Sequence, residues 1–99
     1  MNRQVSEMAY HGNWTELLPL LRAHPPLVNF ASDAKSYTPL HQAAWHGASL
    51  AVVGELLELG ADRNLKTRDK DQTAHEIAIE KHPDRHDLDY VLPPRNRTC

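Results

Sequence analysis

The stretch Thr38-Pro39-Leu40-His41-Gln42-Ala43-Ala44, closed by Gly47, constrains the fold of this chain more than any other feature. A threonine hydroxyl caps the first turn of a helix, and a proline directly after it takes the first helical position, where its missing N–H costs nothing. A helix is therefore predicted to begin at Pro39. Leu40, Ala43 and Ala44 fall at i, i+3 and i+4 and give it one apolar face of mostly small side chains, which lets a neighbouring helix approach closely. Gly47 ends the helix, because glycine accepts the left-handed backbone of a C-terminal cap. Val52, Val53, Leu56, Leu57 and Leu59 then supply the apolar face of a second, antiparallel helix, which Gly60 stops in the same way. The unit is a helix pair.

The pattern returns twice in weaker form. Upstream, Met8-Ala9-Tyr10-His11-Gly12 aligns with Ala43-Ala44-Trp45-His46-Gly47, and Leu17, Leu18, Leu20 and Leu21 followed by Val28-Asn29 stand for the second helix and its exit. Pro19 departs from the pattern; a proline that deep removes a backbone bond and crowds the preceding turn, so a late helix start or a kink is expected. The segment Ala23-His24-Pro25-Pro26-Leu27 lengthens the exit. Downstream, Thr73-Ala74-His75-Glu76-Ile77-Ala78-Ile79 repeats Thr38 to Ala44 with an offset of 35 residues, and Asp84 to Leu92 is expected to form the second helix. His75 replaces a core leucine there, and His82 replaces the terminating glycine.

Thr38 to Ala43 fits the pattern T-P-L-H-x-A, and the match continues through Ala44, Gly47, Val52-Val53, Leu56-Leu57 and Gly60-Ala61-Asp62-Arg63-Asn64. On these residues the chain resembles the ankyrin repeat family. The resemblance implies an all-α fold, a solenoid of about three helix-turn-helix repeats with short hairpin loops. The repeats fall at about 4–32, 33–67 and 68–92, within one domain over 1–92, and 93–99 form a flexible C-terminal tail. Irregular end repeats suit units that cap a stack, and three repeats are about the fewest that bury a continuous core.

Composition agrees with one small globular domain. At 99 residues, 40% hydrophobic and 24% charged, the chain is neither a disordered tail nor a membrane protein, and no apolar run approaches the roughly 20 residues of a membrane helix. Met1 to Glu7 do not read as a secretion signal, so a cytoplasmic location is expected. Cys99 is the only cysteine, which excludes an internal disulfide framework and any multi-cysteine metal site. Basic residues gather at Arg63, Lys66, Arg68 and Lys70 and again at Arg95 and Arg97, but Asp69 and Asp71 dilute them. A solvated loop is expected there and a nucleic-acid partner is not.

No catalytic residue and no cofactor is expected. His75-Glu76-Ile77-Ala78-Ile79 begins like the H-E-x-x-H helix of zinc proteases but ends in isoleucine, so it lacks the second ligand. There is neither a G-x-S-x-G elbow nor a phosphate-cradling glycine loop. His82 and His86 are four apart, and they carry the alternative of a metal-binding protein that uses the histidine-rich C-terminal repeat. Pro83 and the want of a third ligand weigh against it. His41 is read as structural, bonding within and between loops.

Recognition remains. The resemblance implies that a partner protein binds the hairpin tips and the inner face of the first helices. The tips are Asp33-Ala34-Lys35-Ser36-Tyr37 and Arg68-Asp69-Lys70-Asp71-Gln72, with Ser36 and Asp71 standing where the family usually has glycine. The inner-face positions are Tyr10, His11, Trp45, His46, Glu80 and Lys81. The expected partner-binding residues are therefore Tyr10, His11, Lys35, Tyr37, Trp45, His46, Arg68, Lys70, Glu80 and Lys81. The implied role is an adaptor or an inhibitor, and compact bacterial proteins of this kind include small immunity-type inhibitors of toxins. A homodimer through the exposed ends of the stack is compatible with the sequence.

Overall fold

The structure, a computed structural model, describes residues 2–31 and 36–93. Among them lie six α-helices, α1 (Asn2–His11), α2 (Trp14–Ala23), α3 (Pro39–His46), α4 (Leu50–Glu58), α5 (Ala74–Lys81) and α6 (Leu88–Val91), and a 3₁₀ turn at Pro25–Asn29. No strand occurs among the described residues.

Local chemistry sets the helix ends. Thr38 and His41 form a reciprocal cap: the Thr38 hydroxyl accepts the His41 N–H, and His41 Nδ1 accepts the Thr38 N–H at 3.1 Å. Thr73 and Glu76 repeat the device at the start of α5, where Glu76 accepts the Thr73 N–H at 2.8 Å. Such caps contribute about 1 kcal/mol each by satisfying donors that a helix start leaves open. Gly47 closes α3 at φ +65°, in the left-handed region predicted for it.

The helices pack as pairs, α1 on α2, α3 on α4 and α5 on α6. Between pairs, α3 lies against both α1 and α5, and α4 lies against α2 and α6. Ala9, Ala43, Ala44, Ala74 and Ala78 are buried in the α1, α3 and α5 row, and their small side chains let the backbones approach. Larger side chains, Leu17, Leu21, Leu40, Leu56, Ile77, Leu88 and Leu92, fill the space beneath in one continuous core. Burying each of them stabilises the fold by about 1.5–3 kcal/mol.

Polar side chains lock the pairs in register. Asn29 donates to the Gly60 carbonyl at 3.0 Å and accepts the Asp62 N–H at 2.8 Å. Arg22 on α2 pairs with Glu55 on α4. Arg85 Nη1 donates to the Gly47 carbonyl at 2.7 Å and Nη2 to the Ala48 carbonyl at 3.1 Å, while Asp87 holds the same guanidinium through Nε and Nη2.

Two expectations are corrected. The second helix of the third pair does not run from Asp84 to Leu92; α6 is confined to Leu88–Val91, and turns occupy the approach. The Arg85 guanidinium is spent on carbonyls of the α3–α4 loop, and that anchor holds the chain out of a helix until Leu88 and Leu92 reach the core. Nor does Pro19 delay α2, which starts at Trp14 and runs through it. Pro19 faces solvent, and the carbonyl deprived of its donor belongs to the exposed Thr15, within reach of water.

Candidate functional site

Helices α1, α3 and α5 end side by side, and their last turns carry Tyr10, Trp45 and Lys81. Carbonyls at a helix C-terminus lack donors within the helix. Two histidines supply them from the neighbouring pair: His46 Nε2 donates to the Tyr10 carbonyl at 2.7 Å, and His82 Nε2 donates to the Trp45 carbonyl at 2.9 Å. These bonds fix the spacing of the three helix ends. They also give two of the histidines a structural use that sequence inspection missed.

Trp45 lies off the buried face of α3 and is 40% exposed. Its indole is nonetheless held. The Tyr37 ring meets it edge-on at 6.1 Å between centroids, and Lys81 Nζ lies 4.1 Å from its centroid. A cation over an exposed tryptophan face contributes about 0.5–1 kcal/mol. Glu80 stands beside this group: Gln72 Nε2 donates to it at 2.8 Å, and Lys70 and Lys81 approach it at 3.9 and 3.6 Å. The Gln72 hydrogen bond first, and then the two ammonium groups, hold the Glu80 carboxyl below the usual carboxylate range.

The expected contact residues divide clearly. Tyr10, His11, Trp45, His46, Arg68, Lys70, Glu80 and Lys81 are exposed. Tyr37 is not an open contact: it is 8% exposed, packed against His41 and Trp45, and its burial raises its phenol pKa. It supports the indole from beneath. Lys35, with Asp33 and Ala34, lies outside the described residues, as do 94–99 of the expected tail. Ser36 and Asp71 take the glycine-like backbone themselves, at φ +59° and +55°, so the departure from glycine leaves the left-handed turn in place.

His41 is 1% exposed; its Nε2 donates to the Leu65 carbonyl at 2.9 Å, tying α3 to the loop that precedes α5. Comparison with known proteins matches the segment that holds the α3–α4 pair. Residues 35–68 match the family model of the ankyrin repeat. No curated protein matches the chain. Ankyrin repeats typically bind other proteins and are generally non-catalytic. The ankyrin match covers Tyr37, Trp45 and His46 but ends before Glu80 and Lys81, which reach the same surface through the packing of α5 on α3.

Among the described residues no group of three or more His, Cys, Asp or Glu side chains is arranged to hold a metal ion, and no helix is long and apolar enough to cross a membrane. His82 has its Nε2 on the Trp45 carbonyl, and His86 Nδ1 lies 3.6 Å from Asp89. The pair four residues apart thus serves two separate contacts. Gln72 and Arg85 belong to the site and its support, and the sequence carried no periodic signal for either.

Proposed function

We propose that this chain is a non-enzymatic protein-binding module built of three ankyrin-type repeats, at about 4–32, 33–67 and 68–92, stacked as one short solenoid. The α1–α3–α5 and α2–α4–α6 rows support that reading, since α3 lies between α1 and α5 and α4 between α2 and α6. It binds a partner protein through the α1, α3 and α5 ends and the loop at 66–72, acting as an adaptor or by covering the partner's surface as an inhibitor, in the cytoplasm. One observation carries the proposal. Trp45 presents two fifths of its surface to solvent, although α3 already buries Leu40, Ala43 and Ala44, and Tyr37 and Lys81 hold it in place. A large aromatic that is exposed and conformationally fixed loses little entropy on binding, which is the profile of an interface anchor.

The test is retention of proteins from native cell extract by wild type, Trp45→Ala, Tyr10→Ala and, as a control on α4, Leu50→Ala. A stoichiometric protein retained by wild type and Leu50→Ala but lost by Trp45→Ala is expected, with the far-UV circular dichroism of all four unchanged. Equal retention by all four contradicts the proposal, and so does unfolding of Trp45→Ala, which assigns the indole to the core.

A further inference from the structure

The charged groups around Trp45 are unequally satisfied. Lys66, Lys70 and Lys81 stand with Asp69, Asp71 and Glu80 along the loop before α5 and the end of α5. Each of the three carboxylates is already engaged. Asp71 faces Lys66 at 3.8 Å, Asp69 Oδ1 accepts the Lys70 backbone N–H at 2.8 Å, and Glu80 takes the Gln72 amide N–H besides both ammonium groups. Two ammonium groups therefore share one carboxylate. An ammonium group has three donors, and neither Lys70 nor Lys81 uses all of them on a single shared acceptor.

The geometry of Lys81 makes this surplus of donors directional. Its Nζ is parked on the indole, 4.1 Å from the centroid, so the free donors of a pinned cation border an exposed apolar surface. Lys70 reaches the same carboxylate from the loop before α5. We infer that the partner segment received at Trp45 is acidic: a carboxylate side chain bridges Lys70 and Lys81 while an adjacent apolar side chain covers the indole. This rests on the proposed binding face and adds the chemistry of what it accepts. Interleaved Asp69, Asp71 and Glu80 suit single carboxylates flanked by apolar residues, whereas they oppose the continuous negative charge of a nucleic-acid backbone.

The experiment is an NMR titration of the ¹⁵N-labelled chain with four probes. These are a capped hexapeptide alternating Glu or Asp with Leu, the same peptide with Gln and Asn for its acids, its Lys counterpart, and a thymidine oligonucleotide of similar length. The acidic peptide is expected to shift the Trp45 indole N–H and the Lys70 and Lys81 amides saturably, with affinity falling as ionic strength rises. Lys70→Gln with Lys81→Gln should weaken it about tenfold, the loss of two charge-assisted contacts, and both side chains are exposed enough to leave the fold intact. Equal shifts from the amide or lysine peptide overturn the inference while leaving the binding face standing. Stronger shifts from the oligonucleotide, shifts confined to other surfaces, or no shift from any probe overturn it as well; the extract experiment separately decides the broader proposal.

Discussion

Gly47 is where the packing of α3 against the last pair is most exposed to a single substitution. Its φ is +65°, and a Cβ built on it would lie 2.8 Å from Cε1 and Nε2 of His82, closer than carbon and nitrogen atoms approach. Holding alanine in the left-handed region costs about 1–2 kcal/mol. The His82 ring must also move, which releases the Trp45 carbonyl it bonds at 2.9 Å and costs about 0.5–1.5 kcal/mol more. Gly47→Ala should therefore destabilise by about 2–3 kcal/mol, or about 10–20 °C in Tm for a domain of this size. The two contributions separate in a double-mutant cycle. With His82→Ala as background the ring is gone, and Gly47→Ala should cost only its backbone strain, leaving a coupling of about 1 kcal/mol. Urea unfolding of the four proteins, followed by circular dichroism at constant pH, measures it. An equal cost of Gly47→Ala in both backgrounds would refute the reasoning, since it would mean that the His82 ring does not rest on Gly47.

Two further perturbations have signs fixed by the structure. Burial lowers the His41 pKa, with the Leu65 carbonyl opposing, and Nδ1 must stay unprotonated to accept the Thr38 N–H. The unfolded chain takes up that proton near pH ~6.5 and the folded chain only below it. The contribution is thus complete above about pH 6.5 and is lost as pH falls through the folded value, with a slope approaching 1.4 kcal/mol per pH unit, about one proton's worth. Denaturant unfolding between pH 8 and 5 should show that slope, reduced in His41→Asn, and an unchanged slope in the variant contradicts it. Ser36 and Asp71 hold positive φ without being glycine, so Ser36→Gly and Asp71→Gly should each raise stability by roughly 0.5–1 kcal/mol. Loss of the exposed Lys66 contact subtracts little from the second, and a lower Tm in either variant counts against strain at that position.

Much of the fold was legible where backbone demands are local. The Thr38 cap, the Pro39 start, the Gly47 stop and the small-residue face of α3 follow from residue chemistry within a single turn, and the structure has each of them. The third pair was legible only in its first helix, because Thr73 and Glu76 cap α5 locally. The shortness of α6 depends on Arg85 reaching the carbonyls of Gly47 and Ala48 some 38 and 37 residues away, and no local pattern encodes such a reach. Continuity of α2 through Pro19 likewise depended on which side faced water. At the candidate site the repeat alignment brought Tyr10, Trp45 and Lys81 to one side. Alignment gives position along a helix but not depth, so it did not separate exposed Trp45 from buried Tyr37. Three of the seven histidines are spent on backbone carbonyls far away in the chain, which no local pattern announces: Leu65 for His41, Tyr10 for His46 and Trp45 for His82.

The most direct measurement of whether a partner docks on the α1, α3 and α5 ends is amide hydrogen exchange of the chain alone and with the protein it retains from extract. Slowed exchange should appear in the last turns of α1, α3 and α5 and in 66–72, with α2, α4 and α6 unchanged. Slowing confined to α2, α4 and α6 would place the partner on the opposite side and contradict the assignment of Trp45 as its anchor.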